Sequence, residues 1–226
     1  MSISIIVPCH NEAHGIVGTL EALQPLRARG TEVIVVDGGS QDDTLAQARP
    51  WVDAAFSAPR GRSSQMNAGA ERARGEILLF LHADCLLPDA ADRLIIDGLN
   101  QTRKNWGRFD ARINGNHRLL RVVEVLMNFR SRATGIATGD QGLFVTRSFF
   151  EAAGRFPEIA LMEDIALSER LKQLGPPLCL AHRITTSGRR WEKRGVLRTI
   201  LLMWYLRFAY RLGADPTKLA LRYASE

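Results

Sequence analysis

Three short stretches of almost unbroken apolar character, residues 3–7, 32–36 and 77–81, set the terms on which this chain folds. Continuous rather than alternating apolarity marks parallel strands covered on both faces. Helical segments lie between them. Ser40 followed by Asp43 predicts a capping-box start for a helix running to about Ala48. Residues 63–74 are Ala-rich and stop at Gly75, a glycine placed to end a helix. Strand and helix in alternation predict βαβ units and a three-layer α/β sandwich. Further on the pattern changes. Residues 108–113 alternate polar and apolar, the period of a strand with one wet face. Leu119, Leu120, Val122, Val123, Leu126 and Phe129 predict a helix with a broad apolar stripe. A glycine-spaced loop from Gly135 to Gly142 leads into an apolar strand at 143–145, and Leu167, Leu171 and Leu174 fall at helical spacing before Gly175-Pro176-Pro177. The expected fold class is α/β, with a mostly parallel central sheet and a smaller mixed second half.

Each of the first three strands ends in polar chemistry. Pro8-Cys9-His10-Asn11-Glu12, Asp37-Gly38-Gly39-Ser40 and His82-Ala83-Asp84 follow them, and Glu163-Asp164 opens a later helix. Carboxylates at strand ends collect along one rim of a parallel sheet, where open α/β folds bind ligands. Asp37, with Gly39 behind it, is placed to accept hydrogen bonds from a base or ribose, or merely to cap its own turn. Asn11 and Glu12 face the same crevice. Residues two apart on an extended segment share a side, so His82 and Asp84 address one ligand, and that donor pair suits Mn²⁺ or Mg²⁺. Glu163 and Asp164 sit where a helix dipole keeps a carboxylate ionised, although simple capping explains them too. Arg60-Gly61-Arg62, with Gln65 and Asn67 beyond, and Ser187-Gly188-Arg189-Arg190-Trp191 are placed to meet phosphate oxygens.

Composition narrows the classes. At 226 residues and 46% apolar, one core and a single domain over 1–226 are expected. Three scattered cysteines, Cys9, Cys85 and Cys179, fit neither a disulfide framework nor a zinc site and point to a reduced, cytoplasmic setting. The start of the chain lacks the pattern of a signal peptide. The basic residues gather between Arg183 and Arg211, where Trp191 is thin support for a nucleic-acid surface.

Taken in order, these motifs resemble glycosyltransferase family 2, enzymes with the GT-A fold. The similarity is closest to a small bacterial single-domain subgroup reading Gln65-Met66-Asn67-Ala68-Gly69-Ala70, then Leu79-Phe80-Leu81-His82-Ala83-Asp84, then Leu161-Met162-Glu163-Asp164. The resemblance implies an inverting transfer of sugar from a UDP- or GDP-linked donor to a hydroxyl acceptor of unknown identity. It implies that Pro8, Glu12 and Asp37 hold base and ribose, and that Asp84 matches the last Asp of a D-x-D metal motif. It also implies that Asp164 is the general base, that Gly139-Asp140-Gln141 lines the sugar and acceptor site, and that Arg190-Trp191 stands in a Q-x-x-R-W position. His82 replaces the first Asp of D-x-D, and the Q-x-x-R-W glutamine is replaced. On this basis residues 1–100 form a nucleotide-binding half, 101–192 an acceptor and catalytic half, and 193–226 a helical tail. The competing readings are a sugar nucleotidyltransferase, whose glycine-rich basic loop is missing after the first strand, and a non-catalytic nucleotide-binding module.

The apolar run at 199–206 is far short of the ~20 residues that span a bilayer. It is expected to pack on the domain or on a second copy, with peripheral contact to the inner membrane through Trp204 and Tyr205 as the rival role.

Overall fold

The computed structural model describes residues 1–225, the side chains of Arg190, Lys193 and Ser225 excepted. Eight strands form one sheet: β1 (Ile3–Cys9), β2 (Glu32–Asp37), β3 (Ala54–Ser57), β4 (Ile77–Phe80), β5 (Cys85–Leu86), β6 (Trp106–Ile113), β7 (Leu143–Thr146) and β8 (Leu178–Thr186). Their order is β3-β2-β1-β4-β7-β6-β8-β5. β1 runs parallel to β2 and β4, and β2 parallel to β3. β7 then enters antiparallel to both β4 and β6, while β8 pairs parallel with β6 across a register shift at Phe109 and Asp110. The expected doubly wound half and mixed half are therefore joined by one antiparallel strand.

Eleven helices are described: α1 (Ile16–Ala22), α2 (Gln24–Arg27), α3 (Thr44–Ala48), α4 (Arg62–Arg72), α5 (Ala91–Thr102), α6 (Arg118–Thr134), α7 (Arg147–Ala152), α8 (Glu163–Leu174), α9 (Arg189–Arg194), α10 (Val196–Arg211) and α11 (Pro216–Ser225). Alternate residues of the first strands feed two different layers. Ile5, Val7, Val33 and Val35 pack with Leu20 of α1 and Ile95 of α5. Ile6, Ile34 and Val36 pack with Met66 of α4, Phe150 of α7 and Leu167 of α8. Strands buried on both faces need apolar side chains at every position, which is why their sequence shows no alternation.

Two details depart from the sequence reading. The Ser40–Asp43 capping box does not form: Asp42 accepts from the Thr44 amide at 3.1 Å, and α3 begins only at Thr44. Ser40 is already engaged, since its amide and hydroxyl both go to Asp37. The basic segment from Arg183 also begins inside β8, a strand not foreseen. Among the described residues, no helix is long and apolar enough to cross a membrane.

α4 lies so close to the sheet that a Cβ on Gly69 would stand 2.4 Å from Ile6 Cγ2 and 3.1 Å from Val36 Cγ2. Gly18 of α1, by contrast, is exposed with open space around it. Gly69→Val is expected to destabilise by about 1–3 kcal/mol through overpacking. Gly18→Ala is expected to stabilise by about 0.5–1 kcal/mol through helix propensity. Urea midpoints of the two variants check the opposite signs.

Candidate active site

The site begins where β1 and β2 end. The Gln65 amide, buried on α4, donates to Cys9 O at 2.8 Å and to Val36 O at 2.7 Å, and Gly38 N donates to Cys9 O at 2.9 Å. A Cβ on Gly38 would come within 2.9 Å of Gln65 Oε1, so the glycine makes room for that amide. Asp37 is buried and occupied by its own turn, accepting from Gly39 N at 3.0 Å, from Ser40 N at 2.9 Å and from the Ser40 hydroxyl. Asn11, at φ +52°, buttresses the same turn: its Oδ1 accepts from Gln41 N at 2.9 Å. Asn67 ties α4 to the segment after α7, donating to Phe156 O at 2.9 Å and accepting from Phe156 N at 3.1 Å. Asp37, Asn11, Gly39 and Asn67 thus support the rim and are absent from the cavity lining.

Pro8, Glu12, Arg62, His82, Asp84, Asp140, Arg189 and Trp191 do converge, around a cavity of about 370 Å³. Arg189 reaches Glu12 at 3.3 Å, so the start of α9 touches the loop after β1 across its mouth. The side chain of Arg190 lies outside the described residues. A smaller cavity of about 100 Å³ adjoins the first and shares Arg62, His82 and Asp140 with it. Its other walls include Glu163, Asp164 and Arg207.

Between the two cavities the halves of the fold meet. Asp140 Oδ1 lies 3.5 Å from His82 Nδ1 and accepts from Thr186 Oγ1 at 3.3 Å. The short turn Gly139–Gln141 comes so near that a Cβ on Gly139 would lie 2.1 Å from His82 Nε2. Burial pushes the Asp140 carboxyl up, but the hydrogen bond and charge of His82, with Arg62 beyond, outweigh it and hold the group at about 2.

Ligand atoms of His82, Cys85 and Asp140 lie within 4.8 Å of one another. Burial pushes the Cys85 thiol well above its ordinary range, and the charges of Asp140 and Asp84 add to the effect. His82 and Asp140, with Asp84 on the same cavity wall, offer an imidazole and carboxylates that suit a hard divalent ion such as Mn²⁺ or Mg²⁺. Cys9 is similarly inert, pushed up to about 12 by burial and by Asp37.

The Glu163-Asp164 pair is presented by a strained start to α8, Met162 standing at φ +72°. Strain of this kind persists where surrounding structure enforces it, and functional sites are where it gathers. Asp164 Oδ2 accepts from Gly139 N at 2.8 Å and Oδ1 from Ile165 N at 2.7 Å. Glu163 is buried, and burial together with the Asp164 charge raises its carboxyl against the pull of Arg62 and His82.

Cys85, Thr186 and Arg207 were not among the expected site residues, and Gln65, expected to meet phosphate, instead binds the ends of β1 and β2. Arg207 alone had a visible signal, a cation at the end of an otherwise apolar helical run.

The sequence model of Glycosyl transferase family 2 matches residues 4–155. Glycosyltransferase AglE from Haloferax volcanii is 37% identical over 92 residues, covering 37% of this chain and 30% of its own. Poly-beta-1,6-N-acetyl-D-glucosamine synthase from Staphylococcus epidermidis is 24% identical over 221 residues, covering 85% of this chain and 52% of its own. The chain thus spans about half or less of the length of these curated relatives. Mannosyltransferase PcManGT from Pyrobaculum calidifontis, solved in complex with GDP-Man and Mn²⁺, shares the fold with a TM-score of 0.67 at 24% identity, over 97% of this chain and 64% of its own.

Because Asp140 is held below the ordinary carboxylate range, its share of stability is complete above about pH 4 and is lost as pH falls toward about 2. The melting-temperature gap between wild type and Asp140→Asn is expected to shrink steadily between about pH 4 and pH 2. A gap independent of pH across that window would show that His82 does not hold the carboxylate ionised.

Proposed function

The chain belongs to glycosyltransferase family 2, and on that premise we propose that it moves a sugar from a nucleoside-diphosphate donor to a hydroxyl acceptor with inversion. The observation that carries this reading is the pair of adjoining cavities with Asp164 on the wall of the smaller one. The larger cavity takes the UDP- or GDP-linked donor between Pro8, Glu12 and Trp191, with Asp37 and Asn11 holding the turn that shapes its rim. The smaller cavity takes the acceptor.

Chemically, the acceptor oxygen bonds to the anomeric carbon as the bond from that carbon to the diphosphate oxygen breaks. The acceptor proton passes to Asp164, and the electron pair leaves with the nucleoside diphosphate. Gly139 N–H fixes the carboxylate that receives the proton. Arg62 and Arg189 face the departing charge, and for Arg189 this means exchanging its contact with Glu12. Holding both substrates in line is the larger part of the work, since orientation alone removes much of such a barrier. His82, Asp140 and Asp84 would hold a divalent ion, which when bound offsets diphosphate charge. Glu163 lies buried beside Asp164, and that burial raises its carboxyl.

The outer face of the tail has a role in the same reading. Leu197, Leu201, Trp204, Phe208 and Leu212 are exposed along α10. Leu202 and Leu206 on its other side pack under Met162 and Ile165. The helix is apolar on both sides, so the sequence shows no clean amphipathic pattern. We assign the exposed stripe to peripheral contact with a membrane surface; a second copy of the chain is the competing occupant.

Asp164→Asn should lower transfer by about 10²–10⁴-fold, the usual worth of a general base, with nucleoside-diphosphate affinity unchanged. Near-full activity in that variant would remove the base assignment. The double variant Leu201→Ser, Phe208→Ser should lose flotation with anionic vesicles while keeping its sedimentation coefficient. A fall in sedimentation coefficient from dimer to monomer would instead assign the stripe to self-association.

A further inference from the structure

Three arginines gather on two helices near Asp164. α6 and α10 pack against each other through Leu120, Val123, Val196 and Ile200. Along the same pair of helices stand Arg130, Arg207 and Arg211, close enough to feel one another's charge. Arg207 lines the smaller cavity together with Glu163 and Asp164. Nε and Nη2 of Arg130 are buried and have no hydrogen-bond partner among the described residues. Neighbouring Arg108 is committed elsewhere, donating to Asp110 and to Asn128 O. Among the described residues no ion pair closes on Arg130, Arg207 or Arg211. Burial lowers both Arg130, to about 10, and Arg207, yet leaves them cationic at neutral pH.

Buried guanidinium groups without a counter-charge are costly, and a protein keeps them where something else supplies the anion. Asp164 faces both Arg130 and Arg207 but is already fixed by Gly139 and Ile165 amides. A planar fork of donors fits phosphate and carboxylate oxygens in pairs.

We propose that Arg207 on the wall of the acceptor cavity, backed by the partnerless nitrogens of Arg130, forms an anion subsite, so that the acceptor carries a phosphate or carboxylate group near its attacking hydroxyl. This rests on the reading of the smaller cavity as the acceptor site. The arginines then have a second use. They offset the repulsion that Asp164 would otherwise exert on an anionic acceptor. Two sources can present such a group, a soluble phosphomonoester or a membrane headgroup. Val125, Leu126 and Phe129 on α6 lie exposed beside the stripe of α10, so a headgroup is a source to be tested.

The test measures binding by the full chain in saturating nucleoside diphosphate, which fills the donor cavity and leaves the acceptor side open. One arm titrates inorganic phosphate and glycerol 3-phosphate by calorimetry. The other measures flotation with phosphatidylcholine vesicles, with and without phosphatidic acid. Binding in either arm is expected to weaken about tenfold or more in both Arg130→Gln and Arg207→Gln, as loss of a charged bidentate contact should. Affinity for the nucleoside diphosphate should stay unchanged. Arg130→Gln without anion should melt no lower than wild type, because it removes an unpaired buried charge; a purely structural arginine would lower it. Binding in the first arm names a soluble acceptor, and binding only to phosphatidic acid vesicles names a headgroup. No binding in either arm, or binding untouched in both variants, overturns the subsite. Failure of the nucleoside diphosphate itself to bind strikes the donor reading, and the anion arms can still be read through the two variants.

Discussion

The approach of Gly139 and Asp140 to His82 is the contact on which the rest of the site depends. His82 follows β4, the last strand of the parallel half, whereas Gly139 and Asp140 precede β7, the strand that brings the mixed half alongside. With no side chain at Gly139, the two segments close to a distance that any Cβ would forbid. Asp140 then meets the imidazole, and the freed Gly139 amide turns to Asp164. One glycine therefore couples the proposed metal side to the proposed base. Neither half of the fold holds a complete site alone.

Both cavities set carboxylates against guanidinium groups on their walls. Glu12, Asp84 and Asp140 stand on the larger one, with Arg189 engaged to Glu12 at its mouth. A diphosphate entering such a space needs added positive charge, and an imidazole flanked by carboxylates is a donor set that recruits it. The smaller cavity sets Asp140, Glu163 and Asp164 against Arg62 and Arg207, and nearby Arg130 keeps two nitrogens without a partner among the described residues. On this account cation recruitment on the donor side and anion recruitment on the acceptor side are two answers to one electrostatic problem: bringing charged substrates together in a partly desolvated crevice.

Much of this was legible in the residues. Strands covered on both faces must be apolar throughout, so residues 3–7, 32–36 and 77–81 were recognisable, and the polar clusters after them marked the rim. Local hydrogen-bond competition was harder to read. Ser40 and Asp43 have capping-box spacing, but Asp37 takes both the amide and the hydroxyl of Ser40, and Asp42 supports the helix instead. Asn67 and Asp37 look equally suited to a ligand on paper. In the fold Asn67 joins two backbone segments and Asp37 fills its own turn. Cys85, Thr186 and Arg130 were out of reach for a different reason. They join the site through tertiary packing of β5, β8 and α6, and no local spacing encodes which side chain such packing leaves unpaired.

The account's central claim is that the larger cavity binds a nucleoside diphosphate whose charge is shared with a divalent ion. Calorimetric titration of the wild-type chain with UDP and with GDP, each with and without Mn²⁺, tests it most directly. The account predicts saturable binding of one nucleoside diphosphate, strengthened about tenfold or more by Mn²⁺, equivalent to about 1.4 kcal/mol. Folded protein that binds neither nucleotide, or binds one with an affinity indifferent to the metal, would contradict it.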